Sequence, residues 1–264
     1  MRVLLKIGGT LLDQPESRFR LAAEIGAVFS AGVELAVVHG GGRQMTRFLE
    51  ERGVQSRFVN GLRVTTGEVL DAVVKVVAGT VNRELVAAFV KSGIAAVGIS
   101  GIDANLVTAE QLDPALGQVG KPISADARLL ETLVAARFLP VVACVAGDRE
   151  GLIYNVNADQ MASACAQGFC ADRLWFLTDV EGVRGRAGVT ETDLDVEACQ
   201  ALIHDGIASG GMEAKLRAAN AALAGGVSEV VIASGAVSNV VGRLLAGDAV
   251  GTRVVHARQE VVHD

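Results

Sequence analysis

A surplus of positive charge is missing from this sequence: 24 Lys and Arg stand against 30 Asp and Glu, a formal net charge of −6 over 264 residues. Nucleic acids bind basic faces, so the balance argues against such a partner, although a small anion can still be held locally. Cysteine is scarce as well. Cys144, Cys165, Cys170 and Cys199 have no CxxC spacing and lie in apolar or helical contexts. They read as free buried thiols in a reducing cytoplasm, not as a disulfide framework or a zinc site. No apolar run is long enough to span a bilayer, and Arg2 leads straight into an apolar strand, which leaves no signal peptide. A GxxxxGK[ST] phosphate loop is absent. Its nearest imitation, Gly117-Gln118-Val119-Gly120-Lys121-Pro122, has the wrong spacing and a proline after the lysine. Without a full GxGxxG, dinucleotide binding has little support.

What is present is half hydrophobic, with 31 glycines and only four prolines. That composition suits an α/β enzyme with many tight strand-to-helix turns. Short β-branched runs alternate with amphipathic stretches, the signature of parallel βαβ units. Buried strands are predicted over 3–6, 34–38, 95–99, 140–143, 173–177 and 229–232. Helices are predicted over 19–29, 44–52, 69–90, 158–167, 196–204 and 211–224. Residues 101–121 are less regular, and the alternation over 104–108 suggests hairpins over the sheet. A soft division falls near residue 150. Ligands of open parallel sheets sit at the carboxyl ends of the strands, so the turns there are the candidate site.

Five turns carry the chemistry. Lys6-Ile7-Gly8-Gly9-Thr10 ends the first strand and is either a phosphate cradle or a plain strand end. His39-Gly40-Gly41-Gly42 opens a helix, where unpaired amides and the helix dipole together favour an anion. Asn155-Val156-Asn157-Ala158-Asp159 precedes a helix and could be simple capping. Leu177-Thr178-Asp179-Val180-Glu181-Gly182 could be a surface turn. Gly210-Gly211-Met212-Glu213-Ala214-Lys215 sets a lysine in the first turn of a helix, against the dipole, unless an anion compensates. Together these supply glycine amides, two lysines and an aspartate, with no Ser or Cys nucleophile and no His base. An acceptor that is already a carboxylate needs no deprotonation; its difficulty is repulsion from the polyanionic tail of ATP. Transfer of the γ-phosphoryl group to a carboxylate fits that inventory.

In order and spacing, the motifs resemble the amino acid kinase family, and within it the branch that phosphorylates N-acetyl-L-glutamate, from Lys6 to about Val255. The resemblance implies a three-layer α/β/α sandwich around a mainly parallel eight-stranded sheet. It implies one domain over 1–264, with an acceptor-binding and dimerising lobe at about 1–150 and a nucleotide-binding lobe at about 151–264. The implied reaction is ATP-dependent phosphorylation of the γ-carboxylate in arginine biosynthesis, with Mg2+ arriving on ATP and no direct protein ligand for it. Lys6 and Lys215 are implied to stabilise the transferring group, with Asp159 holding both. Gly8 and Gly9 would face phosphate, and Gly41 and Gly42 the acceptor carboxylate. Arg63, otherwise an exposed hairpin charge, and Asn155 would bind the acyl amino acid. Asp179, Ile207, Ala208 and Ser209 would line the nucleotide.

Three positions depart from the family pattern: the Gly101-Ile102-Asp103-Ala104-Asn105 turn, Thr66 where an acid commonly stands, and the missing proline before Lys215. Two rivals follow from these and from the fold. One is a kinase for aminoadipate or glutamate attached to a carrier protein; the other is a non-catalytic amino-acid or nucleotide sensor. Because the first strand begins almost at Met1, with no preceding helix to interlace dimers, the expected assembly is a homodimer insensitive to arginine. The 69–90 helix is either its face or an internal element.

Overall fold

Arg2–Ile7 (β1) is buried at five of six positions, which a strand achieves only when helices cover both faces of its sheet. Pro15–Ser30 (α1) follows, entered through a proline in its first turn, where the missing N–H is no loss. Glu34–His39 (β2) pairs parallel with β1, Leu5 opposite Val37. Gly42–Glu50 (α2) starts directly from the glycine turn. Phe58–Val59 (β3) and Leu62–Arg63 (β4) form a small hairpin whose turn residues, Asn60 and Gly61, both take positive φ (49° and 77°), as a tight hairpin turn requires. The helix predicted over 69–90 is one rod in three parts: Gly67–Val73 (α3), a π-helical stretch Val74–Val81, and Asn82–Lys91 (α4). Thr66 caps its start by accepting from the Val69 N–H, so the departure from an acid at that position has a structural use.

Ala96–Ser100 (β5) precedes the predicted hairpin, Val107–Gln111 (β6) with Val119–Ala125 (β7), which is antiparallel. It begins later than the alternation over 104–108 suggested, because Ala104 and Asn105 occupy positive φ (53° and 54°) in a 3-10 turn. Arg128–Ala135 (α5), Leu139–Ala143 (β8), Val145–Gly147 (β9) and Ile153–Val156 (β10) complete the first half. The second half runs Ala158–Gly168 (α6), Arg173–Thr178 (β11), Asp193–Asp195 (β12), Val196–His204 (α7), Gly210–Ala224 (α8), Glu229–Ser234 (β13), Val240–Ala246 (α9) and Thr252–Val255 (β14).

This computed structural model describes residues 1–256; the last eight residues of the expected domain, 257–264, lie outside them. Eight strands form one sheet in the order β12-β14-β13-β11-β1-β2-β8-β5, parallel except where β13 meets β14. α6 and α8 pack together over β1, β2, β11 and β13, while α1 joins α4 and α9 in the opposite layer. The three-layer α/β/α sandwich expected from the sequence is therefore the observed architecture. All six predicted strands belong to the sheet. β6, β7, β9 and β10 close separately into a small barrel. The sheet runs through both halves of the chain, since β1 pairs with β2 on one side and with β11 on the other.

The buried apolar residues form one continuous cluster, with Trp175, Phe89, Phe169 and Phe176 its largest fully buried members. Cys144, Cys165 and Cys199 are buried free thiols as expected, but Cys170, in the turn just after α6 with φ of +49°, is exposed. Among the described residues, no helix is long and apolar enough to cross a membrane. Truncating a fully buried aromatic removes transfer energy and leaves a cavity. Phe89→Ala is therefore expected to lower unfolding free energy by about 3–5 kcal/mol in a urea titration followed by circular dichroism.

Candidate active site

The chain builds outward from β1 in both directions, with β2, β8 and β5 on one side and β11 and β13 on the other. Such a reversal opens a crevice at the carboxyl ends of the strands. Two glycine turns meet there. The Gly8 N–H donates to the Leu177 carbonyl at 2.8 Å, which anchors the first turn. A Cβ on Gly9 would stand 3.0 Å from the Gly42 nitrogen and 3.3 Å from the Gly41 nitrogen. Only a glycine lets these two backbones approach so closely.

Lys6, the fifth residue of β1, is 6% exposed and its Nζ lies 2.8 Å from Asp159 Oδ1. Lys215 Nζ approaches the other oxygen, Oδ2, at 3.4 Å and also reaches the Gly211 carbonyl at 3.3 Å. One buried carboxylate thus holds two ammonium groups from opposite halves of the chain. Asp159 is placed by its helix start: Asn157 caps α6, its Oδ1 accepting from the N–H groups of Asp159 (2.9 Å) and Gln160 (3.2 Å). Burial alone would raise the Asp159 carboxyl, but the charges of Lys6 and Lys215 outweigh it and hold it below the usual carboxylate range. Lys215 is shifted down, chiefly by burial and partly by repulsion from Lys6, with Asp159 opposing.

One expectation needs correction. α8 begins at Gly210, so Lys215 is its sixth residue, in the second turn and not the first. The helix dipole is felt mainly in the first turn, so the strain on this lysine comes from burial beside another cation.

Arg63 is also corrected: it is 9% exposed, not an exposed hairpin charge. Its guanidinium donates to Thr46 Oγ1 at 2.8 Å, to the Gly42 carbonyl at 3.2 Å and to Ser56 Oγ, and lies 4.6 Å from the centre of the Phe58 ring. Asn155 Nδ2 donates to Thr65 Oγ1 at 3.0 Å, and Thr65 in turn donates to the Arg63 carbonyl at 2.8 Å. Arg63, Asn155, Gly41 and Gly42 line one cavity of about 170 Å³, with Val77 and Cys144 also in its wall. The Cys144 thiol is pushed up to about 11 by burial, with Lys6 opposing, so it stays protonated and unreactive.

The structure thus gathers Lys6, Lys215, Asp159, Gly8, Gly9, Gly41 and Gly42 at one crevice, with Arg63 and Asn155 beside it. Asp179, just past β11, accepts from Thr178 Oγ1 at 3.2 Å, and its charge acts on Lys215. Ile207, Ala208 and Ser209 form the approach to α8, with only Ala208 buried. Among the described residues, no hydrogen bond joins these three to the lysine pair. A further cavity of about 640 Å³ lies elsewhere, between α6, α8 and the β7 strand. Neither lysine of the trio nor Asp159 lines it, and it shares Leu62 and Asn157 with the Arg63 cavity. Thr46, Ser56 and Thr65 were not legible from the sequence, because their partners are distant in it.

Removing one partner of a buried ion trio leaves uncompensated charge. Asp159→Asn is expected to cost about 3–5 kcal/mol at neutral pH by urea unfolding. Because the carboxyl titrates below the usual carboxylate range, that contribution is complete above about pH 4 and lost only as pH falls through the folded value. The gap between variant and wild type is therefore expected to close in acid.

The chain resembles known proteins over most of its length. The sequence profile described as Amino acid kinase family matches residues 1–234. A protein of Solibacter usitatus named acetylglutamate kinase is 55% identical, across 97% of this chain and 100% of its own length. A solved Streptococcus mutans structure superposes with a TM-score of 0.84 at 27% identity, covering 96% of this chain and 98% of that one. N-acetylglutamate synthase from Neisseria gonorrhoeae, solved with coenzyme A and N-acetyl-glutamate, gives 0.84 at 26% identity, over 98% of this chain and 60% of its own. Matched by that profile over residues 1–234 and similar to the Solibacter usitatus protein along nearly its whole length, this chain belongs to the amino acid kinase family.

Proposed function

We propose that this chain is an ATP-dependent kinase that phosphorylates the γ-carboxylate of N-acetyl-L-glutamate, the second step of arginine biosynthesis. The observation that carries this reading is the Lys6–Asp159–Lys215 trio beside two abutting glycine turns. The near-full-length similarity to a protein named acetylglutamate kinase supports the substrate.

A γ-carboxylate oxygen of the acceptor attacks the γ-phosphorus of ATP. The new P–O bond makes the acyl phosphate, and the bond to the bridging oxygen breaks with its electrons leaving on ADP. The nucleophile arrives ionised, so no general base is required. What must be overcome is repulsion, and Lys6 and Lys215 supply the opposing charge in a site of low polarisability. Asp159 touches neither substrate in this reading; it fixes both ammonium groups before the substrates arrive. Gly8 and Gly9 offer amides to the phosphates, and Gly41 and Gly42 to the acceptor carboxylate and the transferring group. Arg63 clamps the acyl amino acid, and Asn155, oriented by Thr65, is a further ligand to it. Asp179, Ile207, Ala208 and Ser209 hold the nucleotide on the lobe formed by about 151–264, while about 1–150 binds the acceptor.

Magnesium enters with ATP. It is held mostly by phosphate oxygens and water. The enzyme works in the cytoplasm.

Wild-type protein is expected to consume ATP only when N-acetyl-L-glutamate is added, forming an acyl phosphate that hydroxylamine traps. Lys215→Ala is expected to lower kcat by about 10²–10³-fold. Turnover of carrier-bound aminoadipate or glutamate without turnover of the free acetylated substrate would establish the carrier-linked rival instead; no acceptor-dependent turnover would favour a sensor.

The rod formed by α3, the π-helical stretch and α4 leaves Val74 and Val90 exposed (37% and 59%), and these support its use as a homodimer face. Light scattering is expected to return twice the 27.3 kDa chain mass. A monomeric mass would refute the dimer.

A further inference from the structure

Behind the glycine turn lies a buried polar cluster that none of the steps above uses. His39, the last residue of β2, and Asn82, the first of α4, are both 0% exposed. Asn82 follows the π-helical stretch Val74–Val81, the irregular turn of the rod. Its Nδ2 stands 2.9 Å from His39 Nε2 and 2.9 Å from the Val141 carbonyl oxygen. Its Oδ1 accepts from the Arg83 guanidinium. These partners fix the amide: the reverse orientation would set Oδ1 against the Val141 carbonyl and the NH2 group against Arg83. Gly98 makes the room, since a Cβ there would come within 2.0 Å of Asn82 Oδ1.

An amide nitrogen only donates, so His39 Nε2 is the acceptor and the ring proton sits on Nδ1. Nδ1 lies 2.9 Å from the Gly40 carbonyl oxygen and donates to it. Burial is the main cause that lowers the imidazole to about 4, with Arg83 adding to it and the Gly40 contact opposing, so the ring is neutral near pH 7.

The Gly40–Gly41 peptide is trans, as every described peptide bond is. The carbonyl of Gly40 and the N–H of Gly41 therefore point in opposite directions within one plane, and pinning the first aims the second. The far side is closed as well: a Cβ on Gly41 would meet Val77 Cγ2 at 3.1 Å and Val81 Cγ2 at 3.4 Å, both in the π-helical stretch. Among the described residues, neither the Gly41 nor the Gly42 N–H meets a backbone acceptor. A preorganised, unsatisfied donor in a buried crevice is what developing negative charge requires.

We propose that His39, held in one tautomer by Asn82, is a positioning residue that aims the Gly41 N–H at the acceptor carboxylate and the transferring phosphoryl group. The proposal rests on the assignment of Gly41 as an amide donor. Its role differs from that of a general base, because the imidazole touches backbone and Asn82 and no reacting atom.

His39→Leu removes the donor to Gly40, whereas His39→Asn returns an amide N–H near the place of Nδ1. In His39→Leu, kcat is expected to fall by about 10²-fold, the loss typical of one misaligned donor. KM for both substrates is expected to hold, and His39→Asn to recover most of the rate. Equal losses in the two variants, or a change confined to KM or to melting temperature, would overturn the proposal. Should His39→Leu fail to fold, 15N-histidine NMR of the wild type decides. A protonated Nδ1 with a bare Nε2 supports it, and the opposite tautomer or an imidazolium at pH 7 overturns it. Wild-type turnover of N-acetyl-L-glutamate with the wrong tautomer removes only the role of His39; absent turnover removes the functional reading itself.

Discussion

Two lysines share one buried carboxylate, and most of the molecule is arranged so that they can. Lys6 comes from the central strand β1, Lys215 from α8, and Asp159 from the first turn of α6, each from a different element. Two positive charges against one negative leave the trio with a surplus of one, out of water, which is unfavourable in the empty crevice. A polyanionic ligand removes that imbalance. The packing of α6 against both β1 and α8 resists relaxation of the trio in the ligand's absence.

The second constraint is the close approach of backbones. Gly9 lies against the Gly41 and Gly42 nitrogens with no space for a methyl group, and Gly41 lies against the valines of the rod. The crevice therefore presents main-chain N–H groups in place of side chains, and these cannot change rotamer. Two lysine ammonium groups lie beside these amides, and the His39–Asn82 pair joins the Gly40 carbonyl to the core. Thr65 does the analogous service on the acceptor side, linking Arg63 and Asn155 through one hydroxyl. Charge and shape thus enter the site from separate sources.

The long strands were legible because β1, β2, β8, β11 and β13 are apolar runs that fill both faces of a parallel sheet. β12 and β14, at three and four residues, are too short to carry a period, and α5 and α9, at eight and seven, carry little more. The 104–108 alternation misled because left-handed residues at Ala104 and Asn105 break it. Lys215 attracted attention as a first-turn cation, yet it is the sixth residue of α8, in the second turn, and its burial beside Lys6 is what sets it apart.

Local chemistry in the sequence determined the glycine turns, the two lysines, the aspartate, and with them a phosphoryl transfer that needs no base. It determined this because strand ends, helix starts and residue type are set by neighbours within a few positions. Tertiary structure alone decided that Arg63 is buried, that Asp159 bridges residues more than fifty positions away on either side, and that His39 faces backbone. It also decided that Asn82, a polar residue buried in the rod, is that imidazole's partner. Those facts are distances between segments remote in the chain, and distance between remote segments is fixed by packing, which no local pattern encodes.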